Sequence, residues 1–171
     1  MNTHLNRRHF LATGGALTIS VLMPGEKARA AIAGVDKRPP LDPKKLASYI
    51  SIRADGSAVA YFGKMDMGQG TDVGVAQMVA EELDLPAEKV IVLAGDSGTS
   101  LNQGGASGST GVSHGGATLR NAAAEARLVM MEIASKQLNV PVEELTTANG
   151  VISAKSDASK KMTYAEAVSY T

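Results

Sequence analysis

The chain has 171 residues, of which 44% are apolar, 4% aromatic and 20% charged, the length and composition of one ordinary globular domain. Lys and Arg number 17 and so do Asp and Glu, so the basic excess of a nucleic-acid binder is missing. Cysteine is absent, which excludes disulfides, thiol catalysis, Fe–S clusters and zinc–thiolate sites, and no apolar run reaches the roughly 20 residues that a membrane-spanning helix needs.

Residues 1–30 read as an export signal. Arg7 and Arg8 precede His9, Phe10 and Leu11; an apolar stretch follows; Pro24 and Gly25 break it; and Ala28 and Ala30 supply the small residues a signal peptidase requires. An ordinary secretory signal and a twin-arginine signal are both open. The arginine pair favours the second, although Asn6 stands where Ser or Thr is usual and Ala12 where Lys is common. That route carries folded proteins to the bacterial periplasm, often with a cofactor already inserted. Processing after Ala30 would lower 17 basic against 17 acidic residues to 13 against 16, a net charge of −3, and would leave His114 as the only histidine. Residues 31–47, rich in proline and charge, read as a linker, and residues 48–171 as the folded part.

In the folded part, alternating apolar residues predict strands at 49–52 and 58–62, with Asp55-Gly56 as a hairpin signal between them. A glycine loop fills 63–70. A helix is expected from Thr71 to Leu85, with Val75, Val79 and Leu83 on one face and Pro86 ending it, then a short buried strand at 90–93. A second loop rich in Gly, Ser, Asn and Thr covers 95–111. A long helix is expected from about Val112 to Leu138, with Val112, Gly116, Leu119, Ala123, Ala126, Met130 and Ile133 on one face. Its many small residues imply a closely approaching neighbour. A helical turn near Pro141, a hairpin at Asn149-Gly150 and a capping box from Thr163 to Glu166 complete the chain. The last helix is expected to be cut off at Thr171 after two turns, suggesting an incomplete domain. The fold class is therefore α/β (α+β), with short strands and hairpins packed on two main helices.

Three catalytic or nucleotide motifs are approached and missed. Residues 111–115 match the G-x-S-x-G elbow of serine hydrolases, but the only histidine near Ser113 is its neighbour His114, whose side chain is expected to point elsewhere on the helix. Gly63 and Gly68 have P-loop spacing, but Gln69-Gly70 replaces the Lys and Ser/Thr that hold phosphate and magnesium. Gly68, Gly70 and Gly74 form a dinucleotide fingerprint one residue too long, with Asp96 about where a ribose-binding acid would sit. A Rossmann-like dinucleotide-binding module is thus an alternative. Against it, the preceding strand reads as half of a hairpin rather than of a parallel βαβ unit. A different ligand suits both glycine loops. Each ends at a helix N-terminus, where unpaired N–H groups and the dipole favour an anion such as a phosphate. That the glycines simply make turns is equally open on spacing alone.

The run Lys64-Met65-Asp66-Met67-Gly68-Gln69-Gly70-Thr71, followed by Ala80-Glu81-Glu82-Leu83 and Val90, resembles the molybdopterin-binding subunits of the xanthine dehydrogenase/aldehyde oxidase family, in particular the exported branch of isoquinoline 1-oxidoreductase large subunits. Gly108-Ser109-Thr110-Gly111-Val112-Ser113 is similar to that family's second cofactor segment. The resemblance covers about 49–164 and implies part of a larger molybdopterin-binding domain. It implies that Gly68, Gln69 and Gly70 contact the pterin, and that Thr110, Gly111, Val112 and Ser113 contact its phosphate and pterin. It further implies molybdopterin in the cytosine dinucleotide form, electrons leaving to an Fe–S or haem subunit on another chain, and oxidation of an aldehyde or N-heterocycle with water-derived oxygen. Asp66 stands where the family usually has Glu. The family's Gly-x-Gly-Glu segment with its catalytic glutamate and its Gly-Gly-Phe-Gly loop do not occur in this sequence. The chain accordingly reads as a piece of a longer subunit (split, truncated or stand-alone) that is inactive by itself, the rival being a non-enzymatic exported remnant of the same fold. Asp66, Glu81 and Glu82 read as loop and solvated helix-face residues.

Replacing both Arg7 and Arg8 by lysine is expected to leave uncleaved precursor in the cytoplasm, measured by fractionation and immunoblotting; unchanged export would contradict the twin-arginine reading.

Overall fold

The computed structural model describes residues 41–171. The signal and most of the linker expected from the sequence lie outside these residues. β1 (Ile50–Ile52) and β2 (Ala58–Phe62) pair antiparallel, with Ile50 opposite Ala60. The loop between them turns at Gly56 with φ +79°, and the Asp55 carboxylate accepts from the Ser57 N–H, as the hairpin signal predicts. β2 continues through the first glycine loop into α1 (Thr71–Leu83), which crosses back to β3 (Val90–Ala94). β3 lies parallel to β2, Ala58 opposite Val90 and Phe62 opposite Ala94. The sheet order is β1-β2-β3. β2 is therefore both half of a hairpin and the first strand of a βαβ unit. This corrects the expectation that one excludes the other: a central strand has two edges, and local sequence reports only the turn at one of them.

All five residues of β2 are buried, whereas only Val90 is in β3, where the other four are half-buried. α1 covers the sheet with Val75, Val79 and Leu83, all 0% exposed, the face that the periodicity marks. It ends at Leu83, two residues earlier than expected. Asp84 takes a left-handed conformation with φ 50°, and the Leu85 N–H donates back to Ala80 O at 2.9 Å, a Schellman ending built on Asp instead of Gly.

The second helix begins as a π-helical turn, Gly111–Gly116, and continues as α2 (Ala117–Leu138). Leu119, Ala123, Ala126 and Met130 are buried as expected, but Val112 is 42% exposed and Ile133 only half-buried. A π turn carries more residues per turn than the 100° phase assumes, so Val112 rotates off the inner face. The small residues do admit close neighbours. A Cβ on Gly115 would lie 2.6 Å from Phe62 Cε2, and one on Gly116 would lie 3.1 Å from Met78 Sδ.

A second sheet, order β4-β5-β6, follows. β4 (Leu145–Ala148) and β5 (Val151–Ala154) form the two-residue hairpin at Asn149-Gly150, φ 52° and 76°, the left-handed pair that a type I′ turn demands. β6 (Lys161–Thr163) pairs with β5; its mostly polar sequence gives no strand signal. The Thr163–Glu166 capping box forms and opens α3 (Tyr164–Val168). This helix has five residues and closes before Thr171, in contrast to the expected two turns. Tyr164 fastens the second sheet to α1. It is 1% exposed, and its hydroxyl donates to Leu83 O at 2.8 Å. Burial pushes that phenol well above the ordinary tyrosine range, with the Asp84 carboxylate adding to it.

Tyr164→Phe should keep the packing and lose that one hydrogen bond, lowering stability by about 0.5–1.5 kcal/mol in urea unfolding; an unchanged midpoint would show that the hydroxyl contributes nothing.

Candidate functional site

β2 and β3 run parallel, so the loops that follow them leave the sheet at the same edge. In open α/β sheets that carboxyl-end edge is where ligands bind. The first loop, 63–70, leads into α1. The second, 95–110, leads into the π turn. The two helix starts meet: a Cβ on Gly111 would lie 3.0 Å from Thr71 Cγ2. The second loop also crosses the end of β2, where a Cβ on Gly63 would sit 1.7 Å from Leu101 O. Gly63 is thus required by the neighbouring backbone and owes nothing to a phosphate motif. Gln103 Oε1 accepts from the Gly63 N–H at 3.0 Å.

Within the first loop, Gly68 and Gly70 adopt φ 100° and 73°, and a Cβ on either would meet nothing within 4 Å. The glycines are demanded by backbone conformation, and the space before them is open. Asp66 organises the loop. Its Oδ1 accepts from the N–H groups of Gly68 (2.7 Å) and Gly70 (3.3 Å), and its Oδ2 accepts from Asp72 N–H and Thr71 Oγ1, both at 3.1 Å. The donors of Asp72 and Gly68 hold its carboxyl well below the usual carboxylate range. The expectation of unpaired donors at this helix start is corrected: the chain supplies the anion itself, and Asp66 is a cap as well as a loop residue. Gln69 is exposed but turned into the loop. Its Oε1 accepts from Met67 N–H at 2.7 Å, and its Nε2 donates to Met65 O at 3.3 Å.

The second helix start differs. Thr110 precedes the π turn, and no side chain caps it. The Thr110 hydroxyl is taken by the loop, donating to Ser107 O at 2.8 Å with Gly105 O at 3.0 Å. Gly111 is buried, Val112 exposed. Ser113 Oγ donates to Ser109 O at 3.0 Å and lies 3.0 Å from His114 Nδ1. The expectation that His114 points away from Ser113 is corrected, because the widened π turn lets the exposed ring fold back over its neighbour. Ser109 O and His114 Nδ1 lie equally far from the Ser113 hydroxyl, which has one proton to give. No carboxylate hydrogen-bonds the His114 ring among the described residues, so the third member of a hydrolase triad is missing there.

The expected ligand-contacting residues 68–70 and 110–113 thus gather at one sheet edge, but as two rims, exposed except at half-buried Thr110 and buried Gly111. A cleft of about 500 Å³ lies beside them, lined by Lys64, Met65, Asp96, Ser100, Asn102 and Gly105 among others. Asp96 closes its own turn, accepting from Gly98 N–H at 2.8 Å. The sequence reading misses Lys64, which is 4% exposed, because nothing in a Gly-Lys-Met run distinguishes a buried lysine from a solvated one.

Residues 27–171 match the family model of the molybdopterin cofactor-binding domain. The chain is 34% identical over 130 residues to a nicotinate dehydrogenase chain of Pseudomonas putida, covering 76% of this chain and 11% of that protein. It is 30% identical over 155 residues to the beta chain of isoquinoline 1-oxidoreductase from Brevundimonas diminuta, covering 86% and 20%. Among solved structures, quinoline 2-oxidoreductase from Pseudomonas putida 86 superposes with TM-score 0.63 at 26% identity, covering 70% of this chain and 15% of that one. CO dehydrogenase from Oligotropha carboxidovorans gives 0.63 at 29% identity, covering 69% and 15%. The chain therefore spans a fifth or less of the length of these relatives. None of these matches supports the dinucleotide-binding alternative.

Asp66→Asn should weaken the first loop. Because the folded-state pKa of Asp66 is depressed, its contribution is fully present above the unfolded value of about 3.9 and is lost as pH falls below it. The gap in urea midpoint between wild type and Asp66→Asn should thus be clear at pH 7 and shrink below about pH 4; a gap independent of pH would contradict the cap. Gly63→Ala should cost about 3 kcal/mol or more by overpacking against backbone, while Gly105→Ala, which meets nothing within 4 Å, should be near neutral in the same assay.

Proposed function

The chain belongs to the molybdopterin cofactor-binding domain family, and from that premise we propose that it supplies one wall of the pterin site of a molybdenum hydroxylase. The observation that carries this reading is the meeting of the two glycine loops at one sheet edge, with Thr71 and Gly111 in contact at the two helix starts. The donor set fits such a group. Open space lies before Gly68 and Gly70, and the π turn has no side-chain cap.

The two rims take different parts of the ligand. Asp66 already fills the first helix start, so a second anion there would meet a carboxylate. Gly68, Gln69 and Gly70 therefore face the neutral pterin, with the weakly held Gln69 Nε2 free to exchange Met65 O for a pterin acceptor. Gly111, Val112 and Ser113 hold the phosphate on backbone N–H groups at the uncapped start of a long helix, and Thr110, whose own N–H bonds Ser107 O, sets the position of that start. Their hydroxyls shape the loop rather than bind.

The chemistry the bound cofactor supplies is oxidation of an aldehyde or N-heterocycle with water-derived oxygen, at a molybdenum held by its dithiolene. A general base and the remaining walls come from the rest of the subunit. Electrons leave through an Fe–S or haem group on a partner chain, since a cysteine-free chain has no thiolates for a cluster. The cytosine dinucleotide form and twin-arginine export to the periplasm complete the proposal.

In the assembled enzyme, Gly70→Val should abolish pterin retention, since a β-branched side chain resists φ 73° and fills the open space. Gln69→Ala should weaken binding about ten- to a hundredfold. Pterin and molybdenum per folded protein are the readout, with Asp55→Asn in the β1–β2 hairpin as control; full retention in both loop variants would reduce the loops to ordinary turns and overturn the assignment.

A further inference from the structure

Lys64 lies two residues past the end of β2 and is 4% exposed. Burying a lysine is costly unless its amino group finds acceptors. Here Nζ donates to Gly105 O at 2.7 Å and to Thr110 Oγ1 at 3.3 Å, both in the second loop. Among the described residues no carboxylate lies within ion-pair distance of it. The stem reaches these partners by passing over Gly115, where a Cβ would lie 3.0 Å from Lys64 Cδ and 3.2 Å from Cε. A glycine of the π turn thus makes the path that the lysine occupies.

We propose that Lys64 is the positioning residue that joins the two glycine loops into one ligand site, its buried amino group fixing Gly105 and Thr110 relative to the strand from which the Gly68–Gly70 loop starts. The inference rests on the proposed function for the identity of the ligand, but the tie itself is a property of the bare chain. The mechanism is a relay. The Thr110 hydroxyl gives its one proton to a loop carbonyl, so it receives Lys64 as an acceptor. Thr110 immediately precedes the uncapped π turn, whose N–H groups face the phosphate. Displacing Thr110 moves those donors away from the first rim, although Lys64 itself touches no ligand.

The test uses the full chain with Lys64→Met, which keeps length and loses the donor, together with Thr110→Val, Thr110→Ser and the Lys64→Met/Thr110→Val pair. Amide hydrogen exchange is read without cofactor. Pterin per folded protein is read after expression with the cofactor-synthesis machinery and the remainder of the subunit. Lys64→Met and Thr110→Val should each speed exchange at residues 104–113 about tenfold, as the loss of one charge-assisted hydrogen bond allows. The pair should be less than additive, because the Lys64–Thr110 bond is lost in each single variant and can be lost only once, and Thr110→Ser, which keeps the hydroxyl, should behave as wild type. Pterin content should fall in step with exchange. Unchanged exchange at 104–113, a uniform rise across the whole chain, or faster local exchange with wild-type pterin content would each overturn the inference. A wild-type assembly that holds no pterin would overturn the proposed function, whereas the tie between the loops stands or falls on the local exchange response, which is measured without the ligand.

Discussion

The parallel pairing of β2 with β3 is the constraint on which the rest of this domain depends. Parallel neighbours must be joined by a crossover, here α1, and the crossover forces both following loops out of the same sheet edge. The burial of all five β2 residues holds that strand in the centre. The second loop then closes over its end so tightly that only glycine fits at Gly63. From there the two helix starts converge at Thr71 and Gly111. The site is in this sense a consequence of topology: two loops far apart in sequence meet because two strands run the same way.

The two rims are not equivalent, and their difference lies in how backbone donors are satisfied. At the start of α1, Asp66 takes three N–H groups and one hydroxyl. The loop is thereby ordered before any ligand arrives, and the positive end of the helix dipole is met within the chain. At the π turn no side chain plays this part, while Thr110 and Ser113 spend their hydroxyls on loop carbonyls. Under the proposed function, this difference assigns the neutral heterocycle to the first rim and the anionic tail to the second. The Asp66 carboxylate stays inside its own loop, where it serves structure.

Local features were readable in the sequence, and features that depend on distant neighbours were not. The Val75, Val79 and Leu83 face, the Asn149-Gly150 hairpin and the Thr163–Glu166 capping box each arise within a few residues and form as the residue types dictate. The contact between the two glycine loops was suggested by their shared chemistry, and the family by the Met67-Gly68-Gln69-Gly70 run. The parallel partner of β2 was hidden because a hairpin signal describes one strand edge and is silent about the other. The phase of the second helix slipped because a π turn breaks the period that the reading assumes. β6 escaped because its pairing with β5 rests on backbone hydrogen bonds and one buried Met162. Lys64 escaped because its burial is created by Gly115 and by residues 105–110, more than forty positions away.

The central claim is that residues 68–70 and 110–113 form one pterin site. The most direct measurement is differential amide hydrogen exchange of the assembled enzyme with and without its molybdopterin. The account predicts protection in both segments together, with the Asp55-Gly56 hairpin unaffected. Protection confined to one segment, or to neither, would contradict it.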